Sequence, residues 1–258
     1  MKTKYCSTCL MSRLFEHPMP IPFPSTVIGI DVGGQRKGLH AVALCNGIYL
    51  DRFHTLEVDA MVAWCRHHQA RVIAIDAPCR WSSDGRARLA ERQLMAAGIF
   101  CFSSPTAEAA CTHPRNYYGW MLNGMALYRA LADTHPFCSS ASLTVDGCCC
   151  FETFPQAIAC SLAGHILAAK DKHRQRPRLL TQAGINLPAA VGIDTVDAAL
   201  CALVAHRFAT HQPCTVFGEP ESGLIIVPAS ASTGALFCCG SQKKTGAKNP
   251  PCFSRRPV

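Results

Sequence analysis

The run Val72-Ile73-Ala74-Ile75, closed by Asp76 and then Pro78, constrains this chain more than any other stretch. Four apolar residues without polar alternation, three of them β-branched, are what a strand covered on both faces requires. A strand of that kind needs helices above and below its sheet, so the chain reads as an α/β protein. With 258 residues, 49% hydrophobic and 16% charged, there is apolar material for one large core.

The neighbouring segments extend this reading. Val27–Val32, Leu39–Cys45 and Tyr49–Thr55 form three short strands in series, separated by Gly33-Gly34 and by Asn46-Gly47. Asn-Gly tolerates the positive φ of a tight primed turn, so the three strands read as an antiparallel meander. Val58, Met61, Val62 and Cys65 make one apolar helical stripe before the strand Arg71–Asp76. Helices are expected over Arg86–Ala97, stopped by Gly98, and over Asn116–Ala132. A strand near Cys148–Phe151 leads to a helix opened by Pro155, and the last helix starts at Asp194. Leu224–Val227 adds a short final strand. The fourth strand is expected beside the first, in a mixed sheet.

Residues 1–25 carry Pro18, Pro20, Pro22 and Pro24 at alternate positions and read as an extended segment. Residues 26–228 form the domain, and 229–258 read as a disordered basic tail. Most of the net charge of +8 lies in these ends: five bases and no acid in Gly223–Val258, and three bases against Glu16 in residues 1–25. The global charge therefore says little about what the folded part binds. No apolar run approaches the roughly 18 to 20 residues that span a bilayer, and Arg13, Glu16 and prolines interrupt any leader, so a cytoplasmic protein is expected. The 17 cysteines are odd in number and many, such as Cys45, Cys65, Cys160 and Cys201, sit in apolar segments as small hydrophobes. Cys6-Ser7-Thr8-Cys9 with His17 is half of a zinc pattern without a second pair at the usual spacing.

Three acids fall where a strand gives way to a loop: Asp31, Asp76 and Glu152. In open α/β sheets ligands gather outside the carboxyl ends of the strands. Carboxylates brought together there repel, and a divalent cation relieves the repulsion; Mg²⁺ or Mn²⁺ prefers such oxygen donors and suits phosphodiester hydrolysis. Asp194 reads as a helix cap, whereas Asp197 in the first turn can complete a four-carboxylate site. Arg80, Arg86, Arg88 and Arg92 follow Asp76 and could hold phosphate oxygens. Tyr117, Tyr118 and Trp120, beside His113, could stack on bases, although such residues are more often core, and Tyr117 with Met121 fits core packing.

Together GIDVGG at 29–34, IAIDAPCRW at 73–81, the Arg88/Glu91/Arg92 run, His113-Pro114 followed by YYGW at 117–120, ETFPQAIA at 152–159 and DAALCAL at 197–203 resemble the domain of unknown function 429 family, a predicted nuclease branch of the ribonuclease H-like superfamily. The resemblance covers nearly all of the central region. It implies a ribonuclease H-like fold: a mixed sheet of three antiparallel strands plus parallel strands, flanked by helices. It also implies a metal-dependent nuclease with Asp31, Asp76, Glu152 and Asp197 as both catalytic and Mg²⁺- or Mn²⁺-binding residues. The residues themselves add Arg80, Arg88, Arg92 and Tyr118 as candidates to face a nucleic-acid substrate. Two other readings share the fold. One is a phosphate-binding ATPase of the actin or sugar-kinase kind, which also begins on an Asp and a glycine turn. The other is an interaction module without catalysis.

Overall fold

A computed structural model describes residues 25–138 and 147–230. Nearly all of the proline-rich segment, the Cys6/Cys9/His17 set and most of the basic tail lie outside the described residues. Seven strands, β1 (Thr26–Val32), β2 (Leu39–Cys45), β3 (Ile48–Thr55), β4 (Val72–Asp76), β5 (Cys149–Glu152), β6 (Cys214–Glu219) and β7 (Gly223–Pro228), make one sheet in the order β3-β2-β1-β4-β5-β7-β6. The first three pair antiparallel, β1, β4, β5 and β7 run parallel, and β6 returns antiparallel on the far edge. This is the mixed sheet of three antiparallel strands plus parallel strands that the family resemblance implies. The hairpin signal is seen directly, with Asn46 at φ 49° and Gly47 at φ 79°.

Alternation along the strands divides the core between the two faces of the sheet. Val27, Val72, Ala74, Cys149 and Phe151 face α2 (Leu89–Ala96), α5 (Pro155–Ala163) and α7 (Ile193–Ala209). Ile28, Ile30, Ile73, Ile75 and Cys150 face α1 (Val58–His67) and α4 (Gly119–Leu131). Ile28, Ile30, Ile73 and Ile75 are fully buried, which contributes about 1.5–3 kcal/mol for each such side chain. The buried thiols of Cys65, Cys160 and Cys201 pack in these cores as the apolar residues around them do.

Gly29 decides where α7 sits. A Cβ at this position would lie 2.0 Å from the Ala202 backbone N and 2.1 Å from the Ala198 backbone O. Its absence lets the small-residue face of α7 lie directly on β1, which brings the start of α7 over the end of that strand. On the opposite face, a Cβ at Gly124 would meet the Ala77 side chain at 2.5 Å, so α4 is seated equally closely at the end of β4.

Several elements differ from expectation. α2 begins at Leu89 rather than Arg86, because residues 82–86 close a turn in which Ser82 Oγ donates to the Arg86 carbonyl (2.7 Å) and Arg86 N donates to Asp84 Oδ1 (2.9 Å). Three elements carry no apolar period strong enough to read: α3 (Ala107–Thr112), α6 (Lys172–Gln182), and edge strand β6. Of α6, only Arg176 and Leu180 are buried, and Pro177 interrupts it.

Candidate carboxylate site

Asp31 and Asp76 are direct partners in the parallel register of β1 and β4, so about 4.8 Å separates their backbones and both side chains leave the same face. That face is the one covered by α7. His40, paired with Asp31 across β2, belongs to it too. Asp194 and Asp197, three residues apart on α7, complete the group from above. These four acids line one cleft of about 340 Å³, with Lys37, His40, Lys172 and Arg176 as its basic lining.

The acids differ in how their charge is met. Asp31 and Asp76 hydrogen-bond to each other. Burial, then the charges of Asp197 and Asp194, push the Asp31 carboxyl up to about 7. Burial and the Asp31 charge push Asp76 well above the carboxylate range. Asp197 is buried against the guanidinium of Arg176, which also donates to Gln156 Oε1 (2.9 Å). Burial raises the Asp197 pKa while Arg176 opposes the rise. Asp194 accepts from Lys37 Nζ at 3.1 Å.

This corrects the reading of Asp194 as a cap. The helix starts at Ile193, its N-cap is Gly192, and the Asp194 side chain turns into the cleft instead. Asp197 consequently lies just beyond the first turn.

Glu152 stands elsewhere. It pairs with Ile75, whose side chain belongs to the α1/α4 face, so strand parity directs it away from Asp31 and Asp76. Its carboxylate accepts from Arg88 Nη2 (2.6 Å), Arg88 Nη1 (2.9 Å) and the Cys79 backbone N (2.8 Å). Arg88 is 4% exposed, and its Nε donates to Glu91 Oε1 at 2.8 Å. Glu91 in turn accepts from the Arg88 backbone N (2.8 Å) and from Ser104 Oγ (2.6 Å). The expected phosphate-facing role of Arg88 therefore fails: its donors are turned inward to two buried carboxylates. Arg80, Arg86 and Arg92 are exposed. Arg80 lies 5.0 Å from the Phe137 ring centroid, and Arg92 donates to the Ala87 carbonyl. Tyr118 is half-buried at the start of α4, edge-on to His113 and Tyr117.

A profile described as protein of unknown function (DUF429) matches residues 29–222. The chain belongs to this family. The matched span runs from the strand that carries Asp31 to the turn before β7, and so contains every residue of the cleft described above. A search of curated proteins finds no match for this DUF429 chain. A solved structure titled Thermus thermophilus RuvC structure is similar to it, with 16% identity, a TM-score of 0.38, and coverage of 72% of this chain and 95% of that chain. That likeness is too distant to speak for function.

Lys37, His40, Lys172 and Arg176 were not singled out from sequence. For His40 a signal existed, since antiparallel register counted from the turn places it opposite Asp31. Arg176 had none, because a basic helix with one buried arginine has the pattern of a solvated helix.

Among the described residues, no group of three or more His, Cys, Asp or Glu side chains is disposed to hold a metal ion. Asp31 and Asp76 are nevertheless a suitable donor set for Mg²⁺ or Mn²⁺. Mg²⁺ commonly takes only one or two protein carboxylates and fills its remaining positions with water and substrate phosphate oxygens. Two paired carboxyls without a neutralising cation of their own meet that requirement. Among the described residues no helix is long and apolar enough to cross a membrane.

Proposed function

We propose that this protein is a divalent-metal-dependent nuclease whose centre is the Asp31–Asp76 pair. One observation carries the reading: two carboxyls sit side by side at the ends of adjacent parallel strands, with pKa values raised and no direct cationic partner, in an open cleft lined by basic groups. Structural acids are normally paired, and uncompensated ones in a cleft mark a functional position.

Asp31 and Asp76 would hold the ion, with Asp197 and Asp194 contributing negative potential from α7. A cation bound there supplies a Lewis acid for a phosphoryl oxygen. The chain's own groups do the rest. Lys37 and Lys172 sit at the cleft to receive phosphate oxygens, and Arg176 fixes the Asp197 carboxylate in one orientation. His40 has its pKa lowered, by burial first and by neighbouring His54, which keeps its ring neutral and able to exchange a proton in the cleft. Arg80, Arg86 and Arg92 provide exposed positive charge for a longer strand. Glu152 acts from outside the cleft, through Arg88, by bracing the loop that follows Asp76.

The test is cleavage of single-stranded, duplex, hybrid and branched DNA and RNA in Mg²⁺ or Mn²⁺, by the wild type and by Asp31→Asn and Asp76→Asn. Cleavage by the wild type alone is expected, with a metal-dependent rise in melting temperature that both variants lose. Equal inactivity and no calorimetric sign of ion binding would sink the proposal, and ATP hydrolysis in its place would favour the phosphate-binding ATPase.

A further inference from the structure

Eight large hydrophobic side chains are exposed among the described residues, and the three aromatic ones all lie within 100–117: Phe100 (83% exposed), Phe102 (64%) and Tyr117 (54%). Phe102 and Tyr117 belong to one connected set of rings. Their centroids lie 6.5 Å apart, and Phe102 is 6.2 Å from Trp120. Tyr117 continues the set to Tyr118 (5.0 Å) and His113 (5.6 Å).

Two properties set these rings apart. Phe102 and Tyr117 are more than half exposed and meet edge-to-face at 75°, with Phe102 at 62° to Trp120, so much of each exposed ring stays open to solvent. The set is also held against the carboxylate cleft. Trp120 lines that cleft, and its backbone N lies 4.0 Å from where a Cβ on Gly34 would stand. Asn123 Nδ2 on the same helix donates to the Gly33 carbonyl at 2.9 Å, tying the start of α4 to the loop after Asp31.

We propose that Phe102 and Tyr117, with Trp120 at the cleft edge, form a stacking platform for unpaired bases of the nucleic-acid strand whose phosphate lies at Asp31 and Asp76. This rests on the nuclease reading and narrows its substrate class to single-stranded or locally unpaired nucleic acid. The reason is chemical. Duplex bases have no free face to offer, whereas an unpaired base gains from stacking on any exposed ring whatever its sequence. Exposed Arg115, between His113 and the tyrosines, adds a charge for the backbone of such a strand.

Binding in EDTA tests the platform without any cleavage. The probes are a fluorescein-labelled oligothymidylate, an abasic deoxyribose-phosphate strand of equal length, and a duplex of equal length. The full chain should bind the oligothymidylate at least about five-fold tighter than either control, the low end for one stacked base. Phe102→Ala/Tyr117→Ala removes two exposed rings and leaves both cores intact, so the fold is retained. It should lose most of its preference for the oligothymidylate over the abasic strand, with Trp120 retaining the remainder, and the affinity for the abasic strand should not change. If wild type binds the first two probes equally, or the double variant keeps the base-dependent gain, the proposal is overturned and the aromatic patch is left to a protein partner. Base-dependent binding that the variant loses, in a protein that cleaves nothing, would uphold the platform while the nuclease reading failed.

Discussion

Two groups of acids occupy the same carboxyl edge of the sheet and treat charge in opposite ways. On the α7 face, Asp31 and Asp76 are bonded to each other and their nearest cations are committed to Asp194 and Asp197. Around Arg88, Glu91 and Glu152 share one buried guanidinium and accept several further backbone and hydroxyl donors. The second group is satisfied and so has structural work. The first leaves two carboxyls without a direct cationic partner, and the proposed function rests on that incomplete pairing rather than on acid content.

The largest way to break this comparison is Arg88→Ala. Leaving two buried carboxylates uncompensated should cost about 3–5 kcal/mol of stability, measured by urea denaturation. Asp76→Asn should show the reverse pattern, losing roughly 10²–10³-fold in cleavage rate while its urea midpoint stays level or rises, since no ion pair is broken. A comparable loss of stability in both variants would erase the distinction.

A third effect follows from proton linkage. The folded-state pKa of Asp31, about 7, lies above its usual 3.8, so between those values the native state binds more protons than the unfolded chain. Stability of the metal-free protein should therefore fall as pH rises from about 4 to 7. Thermal melts across this range should show that slope in wild type, reduced in Asp31→Asn, where buried Asp76 still contributes, and diminished by Mg²⁺. The smallest effect is expected for Asp194→Asn. Its partner Lys37 is 66% exposed, so the pair is worth at most about 1 kcal/mol, and a larger loss in denaturation would assign Asp194 a structural role as well.

How far the site could be read in advance depended on strand parity. Asp31 and Asp76 were legible because each ends an apolar strand, and the predicted neighbour relation of β1 and β4 brings them together. Glu152 has the same local signature, but its β5 register sets it opposite Ile75, on the other face. Asp194 has the residue type of a cap, but the N-cap is Gly192, two residues earlier, and Lys37, distant in sequence, takes the Asp194 side chain. Arg88 resembled its exposed neighbours Arg86 and Arg92, and its burial is explained by Glu91 three residues on together with Glu152, which is distant in sequence.

By itself, the sequence determined the strands of the meander, its Asn46-Gly47 turn, the doubly covered β4 and the two aspartates at adjacent strand ends. These follow from local physics, namely side-chain periodicity and the φ preferences of Asn, Gly and Pro. Tertiary structure alone decided which acids share a face, which arginines are buried, and that α7 settles on β1 through Gly29. Those outcomes depend on register and close packing between segments far apart in the chain, where one residue of slip reverses a face and one Cβ excludes a helix.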